Sequence, residues 1–159
     1  MEITDQEQYG FDWDWFAADD LGYIGHFASA GMRALPRSVK RDKEAAEALI
    51  EHFQQTAERR GEGAVRDGLE QDAPDLPDDK ARRRYLEGFL EMAGKGLFSF
   101  DTDSHMEEGA GYFLVATPSR PLMLGDLPPE TRALLEKTRA RGVVFQQATR
   151  IAEEATLTW

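Results

Sequence analysis

The chain has 159 residues, 41% hydrophobic and 10% aromatic, enough for one domain with a substantial core and too many for a disordered chain. Its 30 Asp and Glu against 19 Lys and Arg give a formal net charge of −11, which disfavours nucleic acid and anionic membranes and favours basic partners or plain solubility. The absence of cysteine excludes disulfides, thiolate catalysis and Cys-based zinc sites, and is compatible with a reducing cytosol.

No apolar stretch reaches the roughly 20 residues of a membrane span. The N-terminal MEITDQEQYG has neither the basic nor the apolar region of a signal peptide, so a cytoplasmic location is expected. Residues 11–31 read FDWDWFAADDLGYIGHFASAG. Trp13, Trp15 and Ala17 alternate with Asp12, Asp14 and Phe16, the period of a half-buried strand. Asp19-Asp20-Leu21-Gly22 is turn chemistry, and residues 23–27 form a second strand, giving an antiparallel hairpin. Asp12 and Asp14 project to one face about 7 Å apart, a spacing that could serve acid–base chemistry but equally marks a strand's wet face. The latter reading is adopted: tryptophans inside, aspartates outside.

Over residues 42–59, Ala45, Ala46, Leu49, Ile50, Phe53 and Ala57 recur at helical spacing. Residues 61–79 have no periodicity, two prolines and an acidic excess, and read as an acidic surface loop or lid. A second helix spans residues 80–93, with Tyr85, Leu86, Phe89, Leu90 and Ala93 as its stripe. A strand follows at 97–101, a polar loop at 101–111 and a doubly covered strand at 112–117. Pro128 and Pro129 open a third helix, and residues 143–145 read as a fifth strand. Residues 149–159 fit a strand or a helix. The whole is expected to be a single α+β domain, a mainly antiparallel sheet with an N-terminal β-hairpin and about three helices packed on it.

Chemical motifs are sparse. Ser29, Ser38, Ser99, Ser104 and Ser119 sit in no nucleophile elbow. His26, His52 and His105 lack metal-ligand spacing, and His26 reads as a structural histidine. DTDSHMEE at 101–108 resembles the start of a calcium loop but has Met106 where glycine is required and Tyr112 where glutamate is. No phosphate-cradling loop is present. No catalytic residue, metal ligand or cofactor is therefore assigned.

The matching segments 14–19, 22–27, Gly31, 96–101, 112–118 and 127–128 resemble a set of small bacterial proteins with an aromatic DWFA hairpin, a GLF strand and a LVA strand leading to an LP helix. Such proteins resemble the immunity proteins of bacterial toxin systems. The resemblance implies a non-enzymatic protein that binds and neutralises a cognate toxin and carries no active site. On this reading Asp12, Asp14, Asp19, Asp20, Asp101 and Asp103 are exposed acids that contact a basic partner such as a toxin domain, with no nucleic acid and no membrane involved. The alternatives are a small hydrolase using carboxylates or an oxygen-ligated metal, and a small-ligand sensor with residues 61–79 as its lid. The sequence specifies no oligomeric state.

Overall fold

The alternation of the first hairpin builds as its residues direct. Strands β1 (Asp14–Asp19) and β2 (Ile24–Ala28) pair antiparallel, Asp14 opposite Ala28 and Ala18 opposite Ile24. Gly22 turns the chain between them at φ +90°, a conformation that strains any side chain. The computed structural model describes residues 1–103 and 109–159. Ser104, His105 and Met106, and with them most of the calcium-like run, lie outside the described residues.

Helix α1 (Asp5–Gly10) precedes the hairpin, its first turn closed by reciprocal bonds between Thr4 and Glu7. After β2 come α2 (Arg37–Lys40) and α3 (Lys43–Glu51), the latter capped by the Asp42 carboxylate and continuing as a π-helix over His52–Thr56. Within the segment read as a loop lie β3 (Gly63–Val65) and a 3₁₀ turn, Leu69–Gln71, with Leu69 fully buried. Helix α4 (Asp79–Gly94), capped by Asp78, leads to β4 (Phe98–Thr102) and β5 (Gly111–Pro118). Then follow α5 (Pro129–Leu135), β6 (Arg139–Ala140), β7 (Arg150–Ala152) and α6 (Glu153–Thr156).

The expected sheet needs correction. It is a mixed seven-stranded sheet in the order β3-β5-β4-β2-β1-β6, with β7 also on β5. Strands β2 and β4 run parallel, as do β1 and β6. Parallel pairing requires a crossover of a dozen or more residues, and the stretch holding α3 and α4 supplies one. A reading that pairs strands by their order in the chain misses it. The described residues form six α-helices rather than about three; α1, α2 and α6 are too short to show a helical period. Residues 143–145 are not a strand. Phe145 instead inserts a fully buried ring against Phe27 and Phe100.

Both faces of the sheet are covered. On one face Trp15 stacks on Phe27 at 4.1 Å and Phe27 on Phe100 at 4.8 Å, a ring column crossing β1, β2 and β4. Tyr112 and Trp159 meet it edge-on. The other face, where Asp14 lies, also carries the buried Phe16 and Ala18, packed under Leu49, Phe53, Met92 and Leu135 from the helices. Helices, not water alone, cover the aspartate side of the hairpin. Among the described residues no helix is long and apolar enough to cross a membrane.

Candidate functional site

Strand register places two rows of side chains on the helix-covered face. Asp14, Ala28 and Asp101 form one row; Phe16, His26 and Ser99 form the next. With strands about 4.8 Å apart, the backbones of Asp14 and Asp101 stand about 10 Å apart with only an alanine between them. Helix α4 passes above, and at Gly88 a side chain would meet nothing within 4 Å. These two small residues leave a solvent-open cavity of about 420 Å³, bounded by Asp12, Asp14, His26, Gln54, Phe89 and Glu91 among others.

His26 forms the floor and is 4% exposed. Its Nδ1 lies 2.7 Å from Ser99 Oγ, and its Nε2 lies 3.3 Å from Asp14 Oδ1 without a well-aligned hydrogen bond. Gln54, from the π-helix, donates to the other Asp14 oxygen at 3.0 Å. Burial alone would raise the Asp14 pKa; the contacts with His26 and Gln54 outweigh it, and the carboxyl sits below its ordinary value. Serine, histidine and aspartate thus stand in line. Yet Ser99 is fully buried beneath the imidazole, so its hydroxyl orients the ring rather than meeting a substrate.

Asp101 is shaped in the opposite direction. It accepts from Tyr85 Oη at 2.7 Å and from the Thr102 N–H at 2.8 Å. Burial, reinforced by the negative charge of Asp12, nevertheless holds its pKa above the usual carboxylate value. Tyr85 is pushed up as well, by its own burial first and then by the Asp101 charge. Asp12 is exposed at the rim, where its carboxylate accepts from Ala30 N–H at 2.7 Å and pins that alanine at φ +53°.

Because the folded-state pKa of Asp101 is raised, its ionised form costs stability above that pKa, and the cost fades as pH falls towards the unfolded value. Asp101→Asn is therefore expected to be more stable than the parent at pH 7, with the gap closing towards about pH 4. Urea denaturation of both proteins across that range checks it. An equal or larger gap at the acid end would contradict the assignment.

Of the six aspartates expected at a contact surface, the fold brings Asp12, Asp14 and Asp101 together. Asp20 is exposed elsewhere and accepts from Gly142 N–H at 2.9 Å. Asp19 is fully buried, and Asp103 is 6% exposed and bonded to Arg150. These two carboxylates hold the fold. His26, Gln54 and Phe89 line the cavity with Asp12 and Asp14, and Tyr85 holds Asp101 beside it. The hairpin pairing could have placed His26 on the Asp14 face; nothing local announces the other three.

Comparison with family models, with curated proteins and with solved structures finds no match to this chain.

Proposed function

We propose that the chain is a non-enzymatic interaction protein of the cytoplasm, whose acidic pocket receives a lysine or arginine side chain of a basic protein. A toxin domain that it neutralises, as immunity proteins do, is the partner this chemistry suits. The carrying observation is that Asp12 and Asp14 line one cavity and Asp101 stands in the same strand row as Asp14, none of the three with a Lys or Arg within ion-pair distance among the described residues.

A guanidinium or ammonium entering there would meet partly desolvated carboxylates, where charge-assisted bonds are strong, beside the Phe89 side chain in the cavity wall. Beside Asp12, Phe11 is 64% exposed and Tyr9 54% exposed. Aromatic groups next to acidic ones are the composition that protein interfaces favour. The net charge of −11 would steer a basic partner towards the surface.

The test uses N-acetyl-argininamide, titrated into the protein and followed by NMR at the Gln54 side-chain amide. A dissociation constant of about 1–10 mM is expected for so small a probe. Asp14→Asn and Asp101→Asn should each weaken it several-fold, and Asp20→Asn should leave it unchanged. Absent shifts up to about 50 mM, or equal weakening by all three substitutions, would overturn the reading.

A further inference from the structure

A second cleft shares no lining residue with the acidic pocket. It lies where α2 and Arg41 meet residues 136–141, after α5, and residues 157–159. It encloses about 400 Å³ and gathers Arg37, Arg41, Lys137, Arg139 and Arg141 against a single acidic side chain, Glu136. The chain has only 19 Lys and Arg, so about a quarter of its cations face one cleft of a protein whose net charge is −11.

Two of the five are committed. Lys137 Nζ donates to Asp42 at 2.8 Å, and Arg139 Nη2 donates to the Asp19 carbonyl at 3.0 Å. Arg37, Arg41 and Arg141 are exposed and make no ion pair or side-chain hydrogen bond among the described residues. Ser38 Oγ, at the back of the cleft, is already bonded to Thr138 and to the Trp159 carbonyl. Like charges held together without counter-ions repel one another, and a chain so rich in acids had carboxylates to spare for pairing them.

We propose that this cleft binds a phosphate-bearing small anion of di- or triphosphate size. Guanidinium groups match phosphate oxygens in bidentate geometry, and three unengaged ones on two separate chain segments can grip more than one phosphate. The cleft volume exceeds what a single phosphate group fills. The overall negative charge penalises approach of a long polyanion such as a duplex far more than a small anion that the cleft alone can neutralise.

Calorimetric titration with sodium tripolyphosphate at about 0.15 M salt tests the site, since screening there suppresses loose surface attraction. Saturable binding is expected, weakened about tenfold by each of Arg37→Gln, Arg41→Gln and Arg141→Gln. Arg84→Gln, an exposed arginine of α4 outside the cleft, should change nothing. The three cleft side chains are exposed, so the variants should keep the parental melting temperature while losing its upward shift with tripolyphosphate. ATP forms the second arm: affinity equal to tripolyphosphate assigns a free polyphosphate, and higher affinity assigns a nucleotide. No heat at millimolar ligand, equal loss in Arg84→Gln, or equal affinity for citrate would each overturn the proposal.

Discussion

Asp19→Ala is expected to lower folding stability by about 3–5 kcal/mol, because it strips the partner from three backbone N–H groups at once. One carboxylate oxygen accepts from Leu21 and Tyr23, each at 2.9 Å, and the other from Phe145, also at 2.9 Å. The side chain is fully buried, so bulk water does not compete for these donors in the intact protein. Its backbone is engaged too: the N–H donates to Tyr23, and the carbonyl accepts from Gly22 N–H and from Arg139. One residue thereby joins the end of β1, the hairpin turn and the distant segment that sends the Phe145 ring into the core. Asp19→Asn keeps one acceptor and sets an amide against the remaining N–H groups, so a smaller loss of about 1–3 kcal/mol is expected. Urea denaturation measures both. A loss below about 1 kcal/mol for the alanine variant would show that the turn stands without this brace. Charge reversal at Asp19, natural to try on a surface acid, would report unfolding and not association.

How much of this could be read from the chain alone differs from element to element. The hairpin was legible because alternation and turn residues agree: Trp13, Trp15 and Ala17 on one side, then Asp-Asp-Leu-Gly. The helix beginning after Asp42 was legible from its apolar spacing, though not its change to π-helical bonding at His52. Helix α1 has no room for a period, yet Thr4-Asp5-Gln6-Glu7 is a capping box and could have marked it. The parallel β2–β4 pairing was hidden, because it depends on how a long crossover packs and not on local pattern. The doublet Val143-Val144 before Phe145 looks like a strand, but Gly142 at φ +74° and the Asp19 brace fix the segment as a turn.

The aspartate face shows the same division. Asp12 and Asp14 suggested water, whereas Phe16 and Ala18 on the same side already signalled cover. The strand is polar where the cover ends and apolar beneath it, and that boundary is where the pocket opens. Register then decides the neighbours of Asp14. Ala28 joins its row through the antiparallel hairpin, but Asp101 does so only because β2 and β4 align in parallel, so one pairing that the sequence did not disclose also conceals half the site.

Lys95 tests whether the site depends on the π-helix above it. This lysine follows α4, is 8% exposed, and sends Nζ to the Phe53 carbonyl at 2.6 Å and the Gln54 carbonyl at 3.2 Å, with Glu91 3.7 Å away. The last carbonyls of a helix lack internal partners and carry the negative end of its dipole, so a cation is well placed there. His52, in the same turn, has its pKa held below the ordinary value by burial first and then by the Lys95 charge. Lys95→Met keeps most of the apolar stem but leaves those carbonyls buried without a donor, and is expected to cost about 2–4 kcal/mol. The effect should reach the pocket, because the residue whose carbonyl Lys95 holds is the one whose side-chain amide meets Asp14. Binding of N-acetyl-argininamide should therefore weaken in Lys95→Met under conditions where the variant is still fully folded. Gln54→Ala, which removes the amide but leaves Lys95 and the helix intact, should weaken the probe to a similar degree, read at the backbone amides of Asp14 and Phe89 in all variants, while changing stability by less than about 1 kcal/mol. If Lys95→Met destabilises the chain but binds the probe with parental affinity, the π-helix supports the fold alone and the pocket is ordered by the sheet.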